Sequence, residues 1–203
     1  MVQIILASTS PSRRRILEDL RLPFVATPPA FDEIRDDDAL PEDIALSNGM
    51  GKALSISVDL PPNHWILGSD QVAFNDEGEW FHKASSLEDA EFQLTRISGH
   101  WLHFATSLAI VQGGMVLFKH VERYSVKFRA MTPSAIRDYV LSERPVGCAG
   151  SFKAETAGWR LFSDSIGRDI RSLYGLPILA LFDFADEQKV RLPYERIDDR
   201  PRG

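Results

Sequence analysis

Three consecutive arginines near the amino terminus are the residues best placed to bind a phosphate. Arg13, Arg14 and Arg15 follow the hydroxyl-rich segment 8–12, whose serine and proline suit a helix N-cap and the first helical position. A helix start offers unpaired backbone N–H groups and the positive end of a dipole, so a bound anion would offset the clustered cations. We therefore predict a site for a phosphorylated small molecule. Solvated arginines on a capped surface helix would give the same pattern.

Two acidic positions are candidates for binding a divalent cation. Asp70 lies between two predicted strands, where a side chain projects from the sheet into a crevice, and Glu33 lies in an acidic loop. Carboxylates are the ligands that Mg²⁺ or Mn²⁺ prefers, with water and substrate phosphates completing the shell. Lys52 and Lys83 would neutralise a polyphosphate as point charges. The ordinary alternatives are a turn-forming aspartate, a solubilising glutamate and two exposed lysines.

Composition excludes several other classes of protein. The formal net charge of −6 argues against stable binding of nucleic acid, because proteins that bind the phosphate backbone are normally basic. Cys148 is the only cysteine and the five histidines form no ligand pattern, so neither an internal disulfide nor a zinc finger is expected. The amino terminus does not have the pattern of a secretory signal, and no apolar run of about 20 residues is present. We expect a cytoplasmic protein without a membrane segment.

The elements that must position these residues alternate between strands and helices. Apolar runs predict strands over residues 2–6, 24–27, 65–67, 72–74 and 101–110, and a further strand through residue 128 after a Gly-Gly turn. Capping residues and periodicity predict helices over residues 11–20, from 41 past 52, over 86–97, from 133 to before 145, and over 177–184. Asn48, Gly49 and Gly51 weaken the second helix, since glycine disfavours helix interiors. This order predicts one domain over residues 1–203, with a mixed α/β sheet flanked by helices.

The motifs together resemble the Maf family of nucleoside triphosphate pyrophosphatases over nearly the whole chain. The matching segments, in the family's order and spacing, are Leu6-Ala7-Ser8-Thr9-Ser10-Pro11 with Arg13-Arg14, Phe31-Asp32-Glu33, Lys52-Ala53, Gly68-Ser69-Asp70-Gln71-Val72, Lys83, Ser98-Gly99, Ala149-Gly150-Ser151-Phe152-Lys153-Ala154-Glu155 and Gly175-Leu176-Pro177. The resemblance implies an elongated fold with two lobes around a deep cleft, like that of inosine triphosphatases, and usually a homodimer. It also implies a divalent metal cofactor and hydrolysis of a nucleoside triphosphate between its α- and β-phosphates.

The resemblance also assigns expected roles to individual residues. Asp70 matches the family's proposed proton acceptor and, with Glu33, its metal-handling positions. The phosphate-handling positions correspond to Ser8, Arg13, Lys52 and Lys83, and the positions associated with base selectivity correspond to Ser12, Gln71 and Glu155.

The choice of nucleotide base separates two branches of this family. Ser69-Asp70-Gln71 and the segment 148–153 resemble the branch that acts on 7-methyl-GTP, whereas the dTTP/UTP branch typically has Asp-Thr at positions 70 and 71. Gln71 and Glu155 could hydrogen-bond the N1–H, N2–H₂ and O6 edge of guanine. The chain departs from the family pattern at His82-Lys83-Ala84, where Gly-Lys-Pro is usual, and at Ser12, where close relatives often carry an aromatic residue.

Three alternative functions remain open at this point. The first is a dTTP/UTP pyrophosphatase of the same family, and the second is a nucleotide-binding regulator without catalysis. The third is a nucleic-acid-binding regulator that uses the patch Arg13–Arg15, which the acidic net charge disfavours.

Overall fold

The computed structural model describes residues 2–57, 60–61 and 63–193. The helices are α1 (Pro11–Asp19), α2 (Pro41–Ser55), α3 (Leu87–Ile97), α4 (Pro133–Glu143), α5 (Ile170–Leu173) and α6 (Ile178–Glu187), with a 3₁₀ turn at Ala157–Leu161. The strands are β1 (Gln3–Ala7), β2 (Phe24–Thr27), β3 (His64–Gly68), β4 (Gln71–Phe74), β5 (Trp101–Gln112), β6 (Met115–Phe128) and β7 (Phe162–Ile166). These bounds confirm the predicted strands and helices to within a few residues.

One mixed sheet joins all of these strands, in the order β2-β1-β3-β5-β6-β7. β1 pairs in parallel with both β2 and β3, and the remaining pairs are antiparallel. β4 pairs with β5 along the same edge that β3 uses further on, so β3 and β4 follow each other beside β5. The short break between them contains Ser69 and Asp70. The predicted mixed α/β sheet flanked by helices is confirmed.

Alternation along β1 explains how helices cover both faces of this part of the sheet. Ile4 and Leu6 pack with residues of α1 and α6 on one face. Ile5 and Ala7 point to the other face, where they pack with Ala53 of α2. The parallel pairing places the ends of β1 and β3 side by side, and the segments that follow those ends therefore meet at one edge of the sheet.

Close approach of α2 to the sheet depends on two glycines. A Cβ atom at Gly49 would lie 2.4 Å from the Ser107 hydroxyl oxygen, and one at Gly68 would lie 2.0 Å from the Gly49 carbonyl oxygen. Glycine lowers helix propensity by about 1 kcal/mol, but the packing that it permits here holds the helix through Ser55. The low helix propensity of this segment is thus the consequence of glycines that tight packing requires.

The hairpin of β5 and β6 carries the largest apolar cluster. Phe104, Phe128, Phe152 and Phe162 contact one another mainly edge to face, with ring centroids 5.0 to 5.7 Å apart. α3 and α4 contribute Leu94, Ile97, Ile136 and Val140 to the same cluster. Within the described part of the chain, no helix is both long enough and apolar enough to cross a membrane.

Candidate active site

A cavity of about 550 Å³ lies at the edge where β1 and β3 end. The residues that the sequence singles out all line it, from Ser8, Ser12, Arg13, Glu33 and Lys52 to Asp70, Gln71, Lys83 and Glu155. They come from α1, from α2, from the break between β3 and β4, and from loops. The structure therefore brings the whole predicted set together, while the role of each residue stays a prediction.

The start of α1 directs Arg13 into this cavity. The Ser10 hydroxyl accepts a hydrogen bond from the Arg13 backbone N–H and caps the helix as predicted. The Arg13 Nε donates to the Gly175 carbonyl oxygen at 2.7 Å, and its Nη1 lies 3.5 Å from the buried Ser8 hydroxyl. Gly175 has a φ of +104°, and a Cβ there would lie 3.2 Å from the Arg13 Nε, so this contact favours glycine. Burial lowers the pKa of Arg13, against the opposing charges of Asp70 and Glu33.

The three arginines do not form one continuous patch. Arg13 lines the cavity, whereas Arg15 turns outward and forms an exposed ion pair with Asp19 at 3.1 Å. The Arg14 Nε is buried without a hydrogen-bond partner among the described residues. Of the three arginines, Arg13 therefore lines the cavity, and its role in binding a phosphate stays a prediction. Two acidic side chains, Asp70 and Glu33, already offset part of the positive charge at this helix start.

The break between β3 and β4 holds Asp70 by its backbone and by both side-chain oxygens. Its backbone N–H donates to the Ser107 hydroxyl of β5 at 3.0 Å, and Ser107 in turn donates to the Ala45 carbonyl of α2. Oδ1 accepts from Lys52 Nζ at 2.7 Å, and Oδ2 accepts from Asn48 Nδ2 at 2.9 Å. A carboxylate has about four lone-pair positions, so each oxygen can still accept a proton or a further hydrogen bond.

Lys52 joins the two candidate carboxylates. Its Nζ lies 2.6 Å from Glu33 Oε1 and 2.7 Å from Asp70 Oδ1, and its side chain is only 7% exposed. The alternative interpretation of Lys52 as an exposed surface lysine is therefore wrong. Partial burial raises the pKa of Glu33, but the hydrogen bond from Lys52 and the charges of Lys52, Lys83 and Arg13 outweigh burial and lower it below its ordinary value. Glu33 is thus an anion at neutral pH.

Lys83 occupies a different position, because it is exposed at the edge of the cavity. Its backbone forms an isolated bridge with Ala149, which brings the loop around residue 83 against the glycine-rich segment 147–151. The preceding residue, His82, lies 3.0 Å from Asp37 in the acidic loop. The departure from the family pattern at His82 therefore adds a contact between the two loops that flank Glu33 and Lys83.

Gln71 has a more restricted role than its side chain suggests. Its Nε2 donates to the Thr106 hydroxyl at 3.0 Å and to the carbonyl oxygens of Ser172 and Leu173 at 2.9 and 3.3 Å. Thr106 itself donates to the Ser172 carbonyl, so the hydrogen-bond network fixes which end of the amide is nitrogen. The expectation that Gln71 offers a ligand both a donor and an acceptor is therefore wrong. Only its Oε1 remains available.

Asn48, Ser107 and Thr106 are polar residues of the site that sequence reasoning missed. Propensity alone marks Asn48 only as a residue that disfavours the predicted helix. A signal was present, because Asn48 and Lys52 are the polar members of the otherwise small or apolar buried face of α2, formed by Ile44, Ala45, Asn48, Gly49, Lys52 and Ala53. Two polar residues one turn apart on a buried face indicate a shared partner, which is here Asp70.

Comparison with known proteins relates the chain to one protein family. The model of the Maf-like protein family matches residues 3–188. A 7-methyl-GTP pyrophosphatase from Pseudomonas aeruginosa is 39% identical over 194 residues, which cover 95% of this chain and 100% of that protein.

Two solved structures share a more distant likeness. The Ham1 protein of Staphylococcus aureus has 12% identity and a TM-score of 0.49, with 91% of this chain and 99% of that chain covered. A nucleoside-triphosphatase, or dITP/XTP pyrophosphatase, from Mycobacterium abscessus has 13% identity and a TM-score of 0.44, with 93% and 96% covered.

Proposed function

Because this chain belongs to the Maf family, we propose that it hydrolyses a nucleoside triphosphate to the monophosphate and pyrophosphate, with 7-methyl-GTP or a related modified nucleotide as substrate. One observation carries the proposal. The cavity places a carboxylate pair that shares one lysine beside Arg13 and Lys83, and Gln71 and Glu155 line the same cavity. The cations and carboxylates suit a triphosphate, and the further polar side chains suit a base.

The proposed chemistry assigns the proton transfer to Asp70. This carboxylate accepts a proton from a water molecule while the water oxygen bonds to the α-phosphorus. The bond from the α-phosphorus to the bridging oxygen breaks, and pyrophosphate leaves with the bonding electrons. Arg13, Lys52 and Lys83 stabilise the negative charge that develops on the leaving group. Asp70 is only 13% exposed, so little bulk water competes with the one it activates.

The residues present also fit a divalent metal ion. Glu33 and Asp70 direct hard oxygen ligands at one cationic position, now taken by the Lys52 ammonium. The described residues contain no group of three or more histidine, cysteine or acidic side chains suited to a metal. Two carboxylates without further protein ligands are what Mg²⁺ requires when substrate phosphates and water complete its shell. When bound, Mg²⁺ or Mn²⁺ supplies charge neutralisation on the phosphates and lowers the pKa of a water molecule.

The orientation of Gln71 supports a guanine-type base. Gln71 Oε1 and the Glu155 carboxylate are both hydrogen-bond acceptors, and guanine presents two adjacent donors, N1–H and N2–H₂. Adenine presents one donor, N6–H₂, beside an acceptor at N1, so it can satisfy only one of these two acceptors. A uracil or thymine N3–H could also donate to Oε1, so a dTTP/UTP pyrophosphatase is the second candidate. It would leave Glu155 without a partner.

A panel of nucleotides tests this proposal. Purified protein is incubated with 7-methyl-GTP, GTP, ATP, dTTP and UTP in the presence of Mg²⁺, Mn²⁺ or EDTA, and phosphorus NMR identifies the products. We expect pyrophosphate and a monophosphate, the highest kcat/KM with 7-methyl-GTP, and no turnover with EDTA. Higher values with dTTP or UTP would favour the second candidate. Tight binding of a nucleotide without turnover would favour a non-catalytic regulator.

The proposal also includes the assembly and location that the family resemblance implies. We expect a cytoplasmic homodimer, and sedimentation equilibrium of the purified chain tests the dimer. A mass equal to one chain of 22.8 kDa at micromolar concentration would contradict it.

A further inference from the structure

Asn48 makes a set of contacts that neither the carboxylate pair nor the phosphate-binding residues account for. It lies on α2 with 2% of its surface exposed, one turn before Lys52. Its Oδ1 accepts from the Ile34 backbone N–H at 2.8 Å. Its Nδ2 donates to the Ile34 carbonyl oxygen at 3.1 Å and to Asp70 Oδ2 at 2.9 Å. All hydrogen atoms of this amide are used, so Asn48 is fixed in one orientation.

We infer that Asn48 is a positioning residue that ties the loop carrying Glu33 to Asp70. Ile34 follows Glu33 directly, so the hydrogen bonds to its backbone N–H and carbonyl set the path of that loop. The third hydrogen bond of the same amide fixes the Asp70 carboxylate. The inference rests on the proposed function, in which Asp70 receives a proton from water.

The neutral charge of Asn48 distinguishes its contact with Asp70 from that of Lys52. Lys52 holds the two carboxylates through its charge, but substrate phosphates compete for the same ammonium group. Asn48 carries no charge, so a phosphate does not attract it away from Asp70. The Glu33 loop and Asp70 therefore keep their relative position when Lys52 turns to a substrate.

The exposed hairpin tip and the cysteine offer weaker evidence of a function than Asn48 does. The exposed apolar hairpin tip at Met115, Val116 and Leu117 has nothing in the structure that shows what covers it. Cys148 is half-buried, and burial together with the charge of Glu155 raises the pKa of its thiol, which makes it a poor nucleophile.

Two substitutions separate the contacts of Asn48. Asn48→Leu removes all three hydrogen bonds. Asn48→Asp has nearly the same size and keeps an oxygen for the Ile34 N–H, but it removes both N–H donors. It also places a second carboxyl group beside Asp70, and the two groups can share a proton until both are ionised. Ser55→Ala is the matched control, because Ser55 also lies on α2 and accepts from a backbone N–H of the same loop, that of Ala30, without reaching Asp70.

Two measurements test the inference. Hydrogen exchange of the Ile34 amide, followed by NMR, should accelerate in Asn48→Leu and remain slow in Asn48→Asp. The kcat for the best triphosphate should fall about 10- to 100-fold in both variants with KM nearly unchanged, since partners that orient a functional carboxylate have effects of this size. The Ser55→Ala control should keep the wild-type kcat.

The possible failures can be told apart. Folded Asn48→Leu and Asn48→Asp variants that retain the wild-type kcat would overturn the inference and leave the proposed function intact. A fall in kcat for Asn48→Leu alone, with Asn48→Asp fully active even at a pH where both carboxyl groups are ionised, would assign the effect to the Ile34 contact and also overturn the link to Asp70. If Asn48→Leu does not fold, the Asn48→Asp result decides. A wild-type protein that cleaves no triphosphate would instead contradict the proposed function.

Discussion

Two regions of this molecule meet at the same cavity and differ in almost every physical respect. The charged wall consists of Ser8, Arg13, Glu33, Lys52, Asp70 and Lys83, and lies at the ends of β1 and β3. The aromatic cluster consists of Phe104, Phe128, Trp159, Phe162 and Phe152, of which Phe104 and Phe152 also reach the cavity. The wall is built from ion pairs and hydrogen bonds to backbone, and the cluster from edge-to-face rings.

The difference separates function from stability. Burying a charged group costs several kcal/mol that its partners only partly offset, so the charged wall is an inefficient way to stabilise a fold. Buried aromatic rings contribute large apolar areas with no such cost. The aromatic cluster therefore stabilises the fold, and under the proposed function the charged wall serves the substrate. Each prediction below tests one side of that division.

The largest expected effect is on the charged wall. Asp70→Asn should lower kcat by about 10²–10⁴-fold, because an amide cannot accept the proton from water. The fold should persist, since the amide fills the same space and Lys52 keeps its contact with Glu33. Steady-state kinetics and a thermal melt check both parts. A variant that keeps more than about a tenth of the wild-type rate would exclude Asp70 as the base.

The next effect is on the aromatic cluster. Phe128 is 1% exposed and contacts Phe152 and Phe162, so Phe128→Ala should lower the free energy of unfolding by about 3–5 kcal/mol. Activity per folded molecule should stay close to that of the wild type. Urea denaturation followed by fluorescence measures the first quantity, and assays below the melting transition measure the second. Loss of turnover in the folded variant would break the division between the two regions.

A smaller effect concerns the polar end of the cavity. Gln71→Leu removes the acceptor Oε1, so the preference for GTP over ATP should fall about tenfold, as expected for one hydrogen bond left unmade. The ratio of kcat/KM for the two nucleotides measures this preference. Thr106→Val is the companion variant, because it removes one of the contacts that orient the Gln71 amide and should lower the ratio less. An unchanged ratio in Gln71→Leu would mean that this amide does not read the base.

The smallest effect is on a carboxylate outside the charged wall. The hydrogen bond from the Ser85 backbone N–H lowers the pKa of Asp89 near the start of α3. Burial opposes this effect, and hydrogen bonds from the Gln93 and Ser85 side chains add to it, so that the net shift is downward. A lowered pKa in the folded state means that Asp89 stabilises the fold above its unfolded pKa, and that this contribution is lost as pH falls through the folded pKa.

Asp89→Asn should therefore reduce the free energy of unfolding at pH 7 by about 0.3–1 kcal/mol, the usual size for an anion at a helix start. The difference from the wild type should vanish in strong acid. Denaturation curves at several pH values measure it, and kcat should be unaffected. A difference that grows in acid would contradict the assigned direction of the pKa shift.

Local signals explain which parts of the fold were predictable. The cap at Ser10, the proline at the start of α1 and the Gly113-Gly114 turn between β5 and β6 act within a few residues, and each prediction based on them is confirmed. Local propensity disfavours a helix through Gly49. The packing against Ser107 that favours this helix involves a strand far along the chain, so the local sequence does not reveal it. Tertiary packing outweighs propensity there.

The site was predictable in its membership but not in its internal contacts. Motifs identified the residues of the charged wall, yet the partners of Gln71 Nε2 lie 35 to 102 positions away in sequence. The sequence shows only that a glutamine has both a donor and an acceptor. The distant Thr106 hydroxyl and the two carbonyl oxygens decide which of them faces a ligand. The same reason hid the link from Asn48 to Asp70, which spans 22 positions.

Hydrolysis in ¹⁸O-labelled water is the most direct test of the central claim, that the charged wall delivers water to the α-phosphorus. The protein is incubated with the best triphosphate and Mg²⁺ in labelled water, and mass spectrometry measures the label in each product. Attack at the α-phosphorus places ¹⁸O in the nucleoside monophosphate and leaves the pyrophosphate unlabelled, which is the predicted result. Label in the pyrophosphate, or release of orthophosphate as the first product, would place the attack at another phosphorus and contradict the account.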